Sequence, residues 1–384
     1  MSQSRTIYLD YNATAPVKPA VVEAVAQALA TGGNPSSVHS TGRNARIAVE
    51  NAREKVASLL GASAGDVIFT SGGTEANNLC LRSFHEAGRK LLVSAVEHPS
   101  VMTTALALGA TIIPVDQNGV VQPDSLAELL EAEGKDQSVL VSVMAANNET
   151  GVLQPIQELA DIAHQYGALM HTDAVQVAGK IPFDMKVLNV DLATISAHKT
   201  CGPAGTGALI TSVQVGKMQG IQTGGGQEKG LRPGTENLAG IAGFGVAAEL
   251  AADDLARTDE IEALRDSLER QISDFALDVR IFGADTARVG NTSCFAMPGV
   301  DSEVQVMSFD LEGIAVSAGA ACSSGKVSAS PVLLAMGVDE TAASSAIRVS
   351  LGWGTTQDDI DEFVAAWKAL YGRLGQKSEE LTAA

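Results

Sequence analysis

Residues 191–205 read DLATISAHKTCGPAG. The run Leu192–Ile195 is largely apolar and does not alternate, which fits a strand covered on both faces. Lys199 follows its end, between His198 and the pair Thr200-Cys201. An ammonium at the end of a buried strand is costly unless something pairs with it or reacts with it. Whether it belongs to a larger site depends on how many similar strands accompany it.

Several do. VIFT (67–70), LLVSAV (91–96), TIIPV (111–115), VLVSVMA (139–145), ALMHT (168–172), LATISA (192–197) and GALIT (207–211) are short apolar runs. Amphipathic stretches separate them; Ala45, Val49, Ala52, Val56 and Leu59 fall at helical spacing before the first. Apolar strands alternating with helices predict an α/β fold with a mostly parallel seven-stranded sheet covered on both faces. The Gly-rich QTGGGQEKGLRPGTE (222–236) interrupts this pattern. A helical stretch over about 236–275 is expected to carry the chain into a smaller α+β domain. There VRIF, TSCFAM, IAVSAG and AIRVSLG read as weaker strands. The expected division is a large domain at 16–253 and a small one made of 1–15 and 254–384. The chain carries no internal repeat and no low-complexity tract.

The 384 residues are 45% hydrophobic and 18% charged, with a formal net charge of −19. Such a balance repels nucleic acid and anionic lipid, so an anionic ligand must be held by local donors. Cys80, Cys201, Cys294 and Cys322 form no CxxC pair and no metal-finger spacing. No basic-then-apolar leader opens the sequence, and no apolar run approaches bilayer length. The expectation is a cytoplasmic protein with free thiols that contacts neither membrane nor nucleic acid.

In a parallel sheet, ligands gather outside the carboxyl ends of the strands. TSGGTEANN (70–78), EHPS, NNETG, HTDAVQ and SAHK occupy those ends here. TSGGTEANN offers backbone N–H groups and a hydroxyl at a helix start, suited to phosphate, although alone it also reads as an ordinary strand–helix turn. Asp173 is either a helix cap or a carboxylate for a protonated heteroaromatic nitrogen. His98 is either a satisfied core histidine or a flat ring for stacking. Lys199, with its amine form favoured by apolar or cationic neighbours, suits carbonyl condensation, and Ser196 and His198 stand ready for a phosphate. A Schiff-base lysine and a pyridinium partner are the electronic demands of pyridoxal 5'-phosphate.

With YLDYNATAP, GNPSSVHSTGR, NNETGV, HTDAVQ, SAHKTCGPAGTGAL, GGGQEKGLRPGT, SAGAACSSG and IRVSLG in order, the chain resembles the pyridoxal-phosphate cysteine desulfurases of the NifS/IscS type. These are class V members of the fold type I transferases. The resemblance spans about residues 6 to 372. It implies a homodimer with active sites at the subunit interface. Lys199 would be the Schiff-base lysine, Asp173 the pyridine-nitrogen partner and His98 the stacking ring. Gln176 and Asn148 would contact ring substituents. Gly73, Thr74, Ser196 and His198 would hold the phosphate, with Thr235 reaching across from the other subunit. Asn34 and Arg348 match positions that receive the substrate carboxylate.

Cys322 matches the sulfur-accepting nucleophile, in a Gly-, Ser- and Ala-rich stretch that reads as a mobile loop. The implied cycle releases L-alanine from L-cysteine and leaves a persulfide on Cys322. The freed Lys199 amine or His98 would move the α-proton. An unperturbed thiol has a pKa of about 8.5, so a base is needed, and Lys326 and His98 are candidates. The other cysteines read as packing residues, Cys201 in a turn pinned by Gly202, Pro203 and Gly205. Ala204 replaces a lysine frequent in the family. LGQKSEELTAA lacks the tail by which some relatives engage a scaffold, which leaves the sulfur-acceptor or iron–sulfur scaffold partner open. Selenocysteine lyase, another class V enzyme, a metal-dependent hydrolase using His171, Asp173 and His198, and a non-catalytic interaction protein are the competing readings.

Overall fold

The computed structural model describes residues 6–134, 138–212, 215–216, 218–319 and 329–375. Strand β1 (Ile7–Tyr8) precedes helices α1 (Pro19–Thr31) and α2 (Ser40–Leu59). Strand β2 (Val67–Thr70) then leads into α3 (Gly73–Glu86), and β3 (Lys90–Ser94) into α4 (Pro99–Ala107). Strand β4 (Thr111–Ile113) leads into α5 (Pro123–Glu133), and β5 (Val139–Ser142) into α6 (Ile156–Gln165). Strands β6 (Leu169–Asp173), β7 (Leu192–Ser196) and β8 (Gly207–Thr211) complete a seven-stranded sheet of order β2-β8-β7-β6-β5-β3-β4. Only β8 runs antiparallel to its neighbours, so the other six strands share a direction.

Both faces of the sheet are covered, as the unbroken apolar runs require. One face packs on α2, α5, α6 and part of helix α7 (Leu238–Asp254), through Val49, Val56, Leu126, Leu159 and Phe244. The other packs on α3 and α4 through Leu79, Cys80, Phe84 and Val101. The helical spacing around Ala45 marks the buried stripe of α2 as expected, although Leu59 is only partly buried. Helices α2 and α7 approach closely because Gly245 lacks a side chain; a Cβ there would stand 2.6 Å from the Ala52 Cα.

The single helix expected over 236–275 is two: α7 and α8 (Thr258–Ser273), separated by a 3₁₀ turn at Leu255–Arg257. Beyond lie β9 (Arg280–Ile281), β10 (Thr292–Ala296), α9 (Ser302–Leu311), β11 (Ile314–Ala315) and β12 (Ser317–Ala318). Helices α10 (Pro331–Ala335) and α11 (Glu340–Ser344), strand β13 (Ala346–Ser350) and helix α12 (Gln357–Leu374) follow. IAVSAG, expected as one strand, is divided: β11 pairs in parallel with β1, whereas β12 joins the four-stranded sheet β12-β13-β10-β9. A second core forms around Phe295, Phe309, Phe363 and Trp367 and takes in Ile7 and Leu9 from the start of the chain.

Candidate active site

The shared strand direction brings the carboxyl ends of β2, β3, β5, β6 and β7 to one edge of the sheet. A cavity of about 570 Å³ lies there. Gly73, Thr74, His98, Asn148, Asp173, Gln176, Ser196, His198 and Lys199 line it, and the small sheet adds Arg348 from β13. Asn34 and Thr235 are exposed and lie outside this cavity in the single chain. Cys322 and Lys326 lie outside the described residues.

Lys199 ends a 3₁₀ turn that continues β7. Its Nζ donates to the carbonyl oxygens of Asn12 and Ala13, the latter at 2.7 Å. Burial, aided by the nearby Arg348 guanidinium and opposed by Asp10 and Asp173, lowers its pKa to about 8. An amine with that pKa has a usable neutral fraction near neutrality, which carbonyl condensation requires.

Asp173 ends β6 and is only 5% exposed. Its Oδ1 accepts from the Val175 backbone N–H at 3.0 Å, and its Oδ2 accepts from Asn77 Nδ2 at 2.8 Å. A buried carboxylate so held is a preorganised acceptor for a protonated ring nitrogen. His98 is the N-cap of α4 and its ring is exposed into the cavity. Desolvation lowers its pKa, with Asp173 acting the opposite way.

The start of α3 supplies Gly73 and Thr74, whose backbone N–H groups have no partner within the helix. Ser196 lies close by; a Cβ on Gly73 would stand 3.6 Å from the Ser196 Cβ and 3.1 Å from Val175 Cγ2. His198 Nδ1 lies 3.3 Å from Thr14 Oγ1, and burial pushes its pKa down to about 4. Neutral donors at a helix start suit an anionic group such as phosphate.

Arg348 bonds Asp10 Oδ1 through Nη2 at 2.7 Å and the Asn148 carbonyl through Nη1 at 2.9 Å. Its Nε is buried without a partner, as is Asn148 Oδ1. Both atoms belong to residues that line the cavity, and buried polar atoms left without partners call for an explanation such as a bound ligand or water.

Several residues of this site escaped the sequence reading. Asn12 is buried and uses every polar atom it has: its carbonyl takes Lys199 and Gln176, and its amide bonds Lys180, Asn291, Thr292 and the Asn148 carbonyl. It lies within YLDYNATAP, but nothing in that motif marks it as a hub. Lys180 donates to Gln176 Oε1 at 2.6 Å and to Asn12 Oδ1 at 3.0 Å, a role no sequence pattern signals. Glu97 and Glu149 are buried carboxyls on the cavity wall.

His171 stands apart from the cavity: it is fully buried, with Nδ1 2.8 Å from Ser142 Oγ and Nε2 3.1 Å from Thr194 Oγ1. Among the described residues no three His, Cys, Asp or Glu side chains group as metal ligands. Cys80, Cys201 and Cys294 are buried free thiols. Ala204 is exposed.

The sequence matches the family described as aminotransferase class-V over residues 7–363. A cysteine desulfurase IscS of Dictyoglomus turgidum is 42% identical over 368 residues, covering 93% of this chain and 92% of its own. A cysteine desulfurase of Cereibacter sphaeroides is 42% identical, with 96% of each chain covered. The crystal structure of a NifS-like protein from Rickettsia africae superimposes with a TM-score of 0.89 at 38% identity, covering 96% of this chain and all of that one. A match over nearly the whole length, joined to a lysine, a carboxylate and a helix start converging on one cavity, leaves a single conclusion about descent: the chain belongs to the aminotransferase class-V family.

Proposed function

We propose that this protein is a cysteine desulfurase: it converts L-cysteine to L-alanine and carries the sulfur as a persulfide on Cys322. The observation that carries this reading is the convergence of Lys199, Asp173 and the start of α3 on one cavity. Pyridoxal 5'-phosphate has an aldehyde, a basic ring nitrogen and a phosphate, and the donor set offers one partner for each. When bound, it supplies an electron sink for the bonds at the substrate α-carbon.

Lys199 provides the amine that anchors the cofactor. Asp173 holds a proton on the ring nitrogen, and Asn77 keeps that carboxylate in place. Gly73, Thr74, Ser196 and His198 hold the phosphate, while His98 covers the ring. Gln176, clamped by Lys180, and Asn148, with its stranded Oδ1, contact ring substituents. Arg348, which lines the cavity, receives the substrate carboxylate, an interaction that a guanidinium makes well. Asn34 shares that task and Thr235 completes the phosphate site, the latter from the second subunit of a homodimer.

The enzyme supplies sulfur to an acceptor or scaffold protein for iron–sulfur cluster or other thio-cofactor assembly, and it works in the cytoplasm. Among the described residues no helix is long and apolar enough to cross a membrane. The domain division at 16–253 against 1–15 with 254–384 is supported by β1 pairing with β11 and by Ile7 and Leu9 packing in the small core.

Two measurements test the reading. Purified protein is expected to be yellow, with a band that borohydride bleaches and fixes on Lys199; a colourless protein that pyridoxal phosphate cannot colour overturns it. Cys322→Ser is expected to keep the band and lose alanine formation from L-cysteine. Full activity in that variant would reassign the nucleophile.

A further inference from the structure

We propose that Ser100 and Asn77 are positioning residues that hold His98 in the tautomer protonated on Nε2, so that His98 presents a donor to the cavity and not a base. The proposal deepens the desulfurase reading and rests on it.

His98 caps the N-terminus of α4. His98 Nδ1 lies 3.1 Å from the backbone N of Ser100, and that N–H can only donate. That contact favours an unprotonated, accepting Nδ1, and the Ser100 hydroxyl strengthens the preference. Ser100 Oγ stands 2.8 Å from the same nitrogen. The hydroxyl has one proton, and its oxygen already accepts from Asn77 Nδ2 at 2.9 Å. Its proton is thus free to point at Nδ1, which then receives two donors.

The orientation of Asn77 fixes the direction of this chain. Its Nδ2 also donates to Asp173 Oδ2 at 2.8 Å. Reversing the amide would set its oxygen against a carboxylate oxygen, so the nitrogen must face Asp173 and Ser100. The consequence is that Asn77 Oδ1 is buried with no partner, in a residue only 1% exposed. Stranding a buried acceptor costs stability, so the placement of the nitrogen is what this amide provides.

Nε2 of His98 has no partner among the described residues, and the ring lines the cavity. The charged groups that face the ring are Asp173, Lys199 and Arg348; burial and the two cations keep it neutral against the pull of Asp173. A neutral ring whose Nδ1 is spent on two donors offers its Nε2–H as a hydrogen-bond donor and has no free lone pair at Nε2 to take a proton. Of the two groups proposed to move the α-proton, the acceptor is then the Lys199 amine, and His98 contributes a hydrogen bond and not a proton.

The test is a long-range ¹H–¹⁵N correlation spectrum of the yellow holoenzyme labelled at histidine, with His98 assigned from its loss in His98→Gln. The expected pattern is a single neutral tautomer with the proton on Nε2. Ser100→Ala, which keeps the backbone N–H and loses the hydroxyl, is expected to bring in the second tautomer and lower kcat about tenfold with KM unchanged. Ser100→Thr is expected to restore both. A wild-type ring protonated on Nδ1 or on both nitrogens overturns the inference, as does a Ser100→Ala spectrum identical to wild type. Failure of the desulfurase reading would look different: no alanine from L-cysteine while the His98 tautomer stays as stated.

Discussion

The Ser330 hydroxyl donates to Glu149 Oε2 across 2.5 Å, closed off from solvent, and so ties the loop after β5 to the first turn of α10. The same hydroxyl oxygen caps α10 by accepting from the Leu333 N–H at 3.1 Å. Gly319 lies against the carboxylate as well; a Cβ there would stand 2.8 Å from Glu149 Oε2. One buried carboxyl therefore bonds Ser330 and lies against Gly319, the described residues on either side of residues 320–328.

Ser330→Ala should accordingly do more than remove a cap. A lost N-cap costs about 1 kcal/mol, and a buried carboxyl left without its partner adds about 1–3 kcal/mol. The expected destabilisation is about 2–4 kcal/mol, read from the urea midpoint of the holoenzyme. A change below about 0.5 kcal/mol would mean that the contact contributes nothing.

Glu97 makes stability depend on pH. Desolvation raises its pKa to about 8, although Ser94 and the Met144 N–H favour the charged form. A carboxyl whose folded pKa lies above the unfolded value favours folding most fully while protonated, and this contribution is lost as pH rises through the folded pKa. Between about pH 4.5 and 8 the wild type should therefore lose stability relative to Glu97→Gln, which cannot ionise. Denaturation midpoints of the two proteins at several pH values check this; a constant difference would show that Glu97 is charged throughout.

Lys199 should react with pyridoxal phosphate along a titration centred near pH 8, and not near the ordinary lysine value of 10.5. Its lowered pKa leaves the amine free above about pH 8, so reconstitution of cofactor-free protein should accelerate with pH and level off beyond that point. Stopped-flow growth of the yellow band gives the profile. A rate still rising steeply at pH 10 would contradict the burial and the Arg348 proximity as causes.

Cys201 adopts a left-handed backbone, with φ at +60°, and packs beside Tyr11 and Ala15. Burial raises its pKa to about 11, so it is a thiol and a poor nucleophile at neutral pH. Cys201→Ala should keep alanine formation within about twofold, because an exchange outside the reacting groups removes little transition-state binding. Cys201→Gly, which relieves the left-handed backbone, should be the more stable of the two by about 0.5–1 kcal/mol. Loss of persulfide on Cys322 in either variant would give Cys201 a part in the chemistry.

Much of the framework is legible in the sequence alone. The seven strands lie where unbroken apolar runs placed them, each within a few residues, because a strand buried on both faces must be apolar throughout. IAVSAG was not legible as two strands, since Val316 separates pairs that bond to different partners. Nor was the turn at Leu255–Arg257, where helical composition continues across the break.

The site divides in the same way. Lys199, Asp173 and His98 are marked by position alone, since strand direction carries them to one edge, and the seven-strand α/β plan and the ligand-bearing edge of its sheet follow from the order of residues. Asn77 and Ser100 stand 23 residues apart and Asn12 and Asn291 279 apart, and no local pattern pairs them. Which nitrogen of His98 is protonated, what holds Gln176 and how Glu149 is shared were decided only by tertiary structure. Residue type and strand order are local properties of the chain, whereas the direction of a hydrogen bond depends on where two distant side chains meet and on which of their atoms face each other.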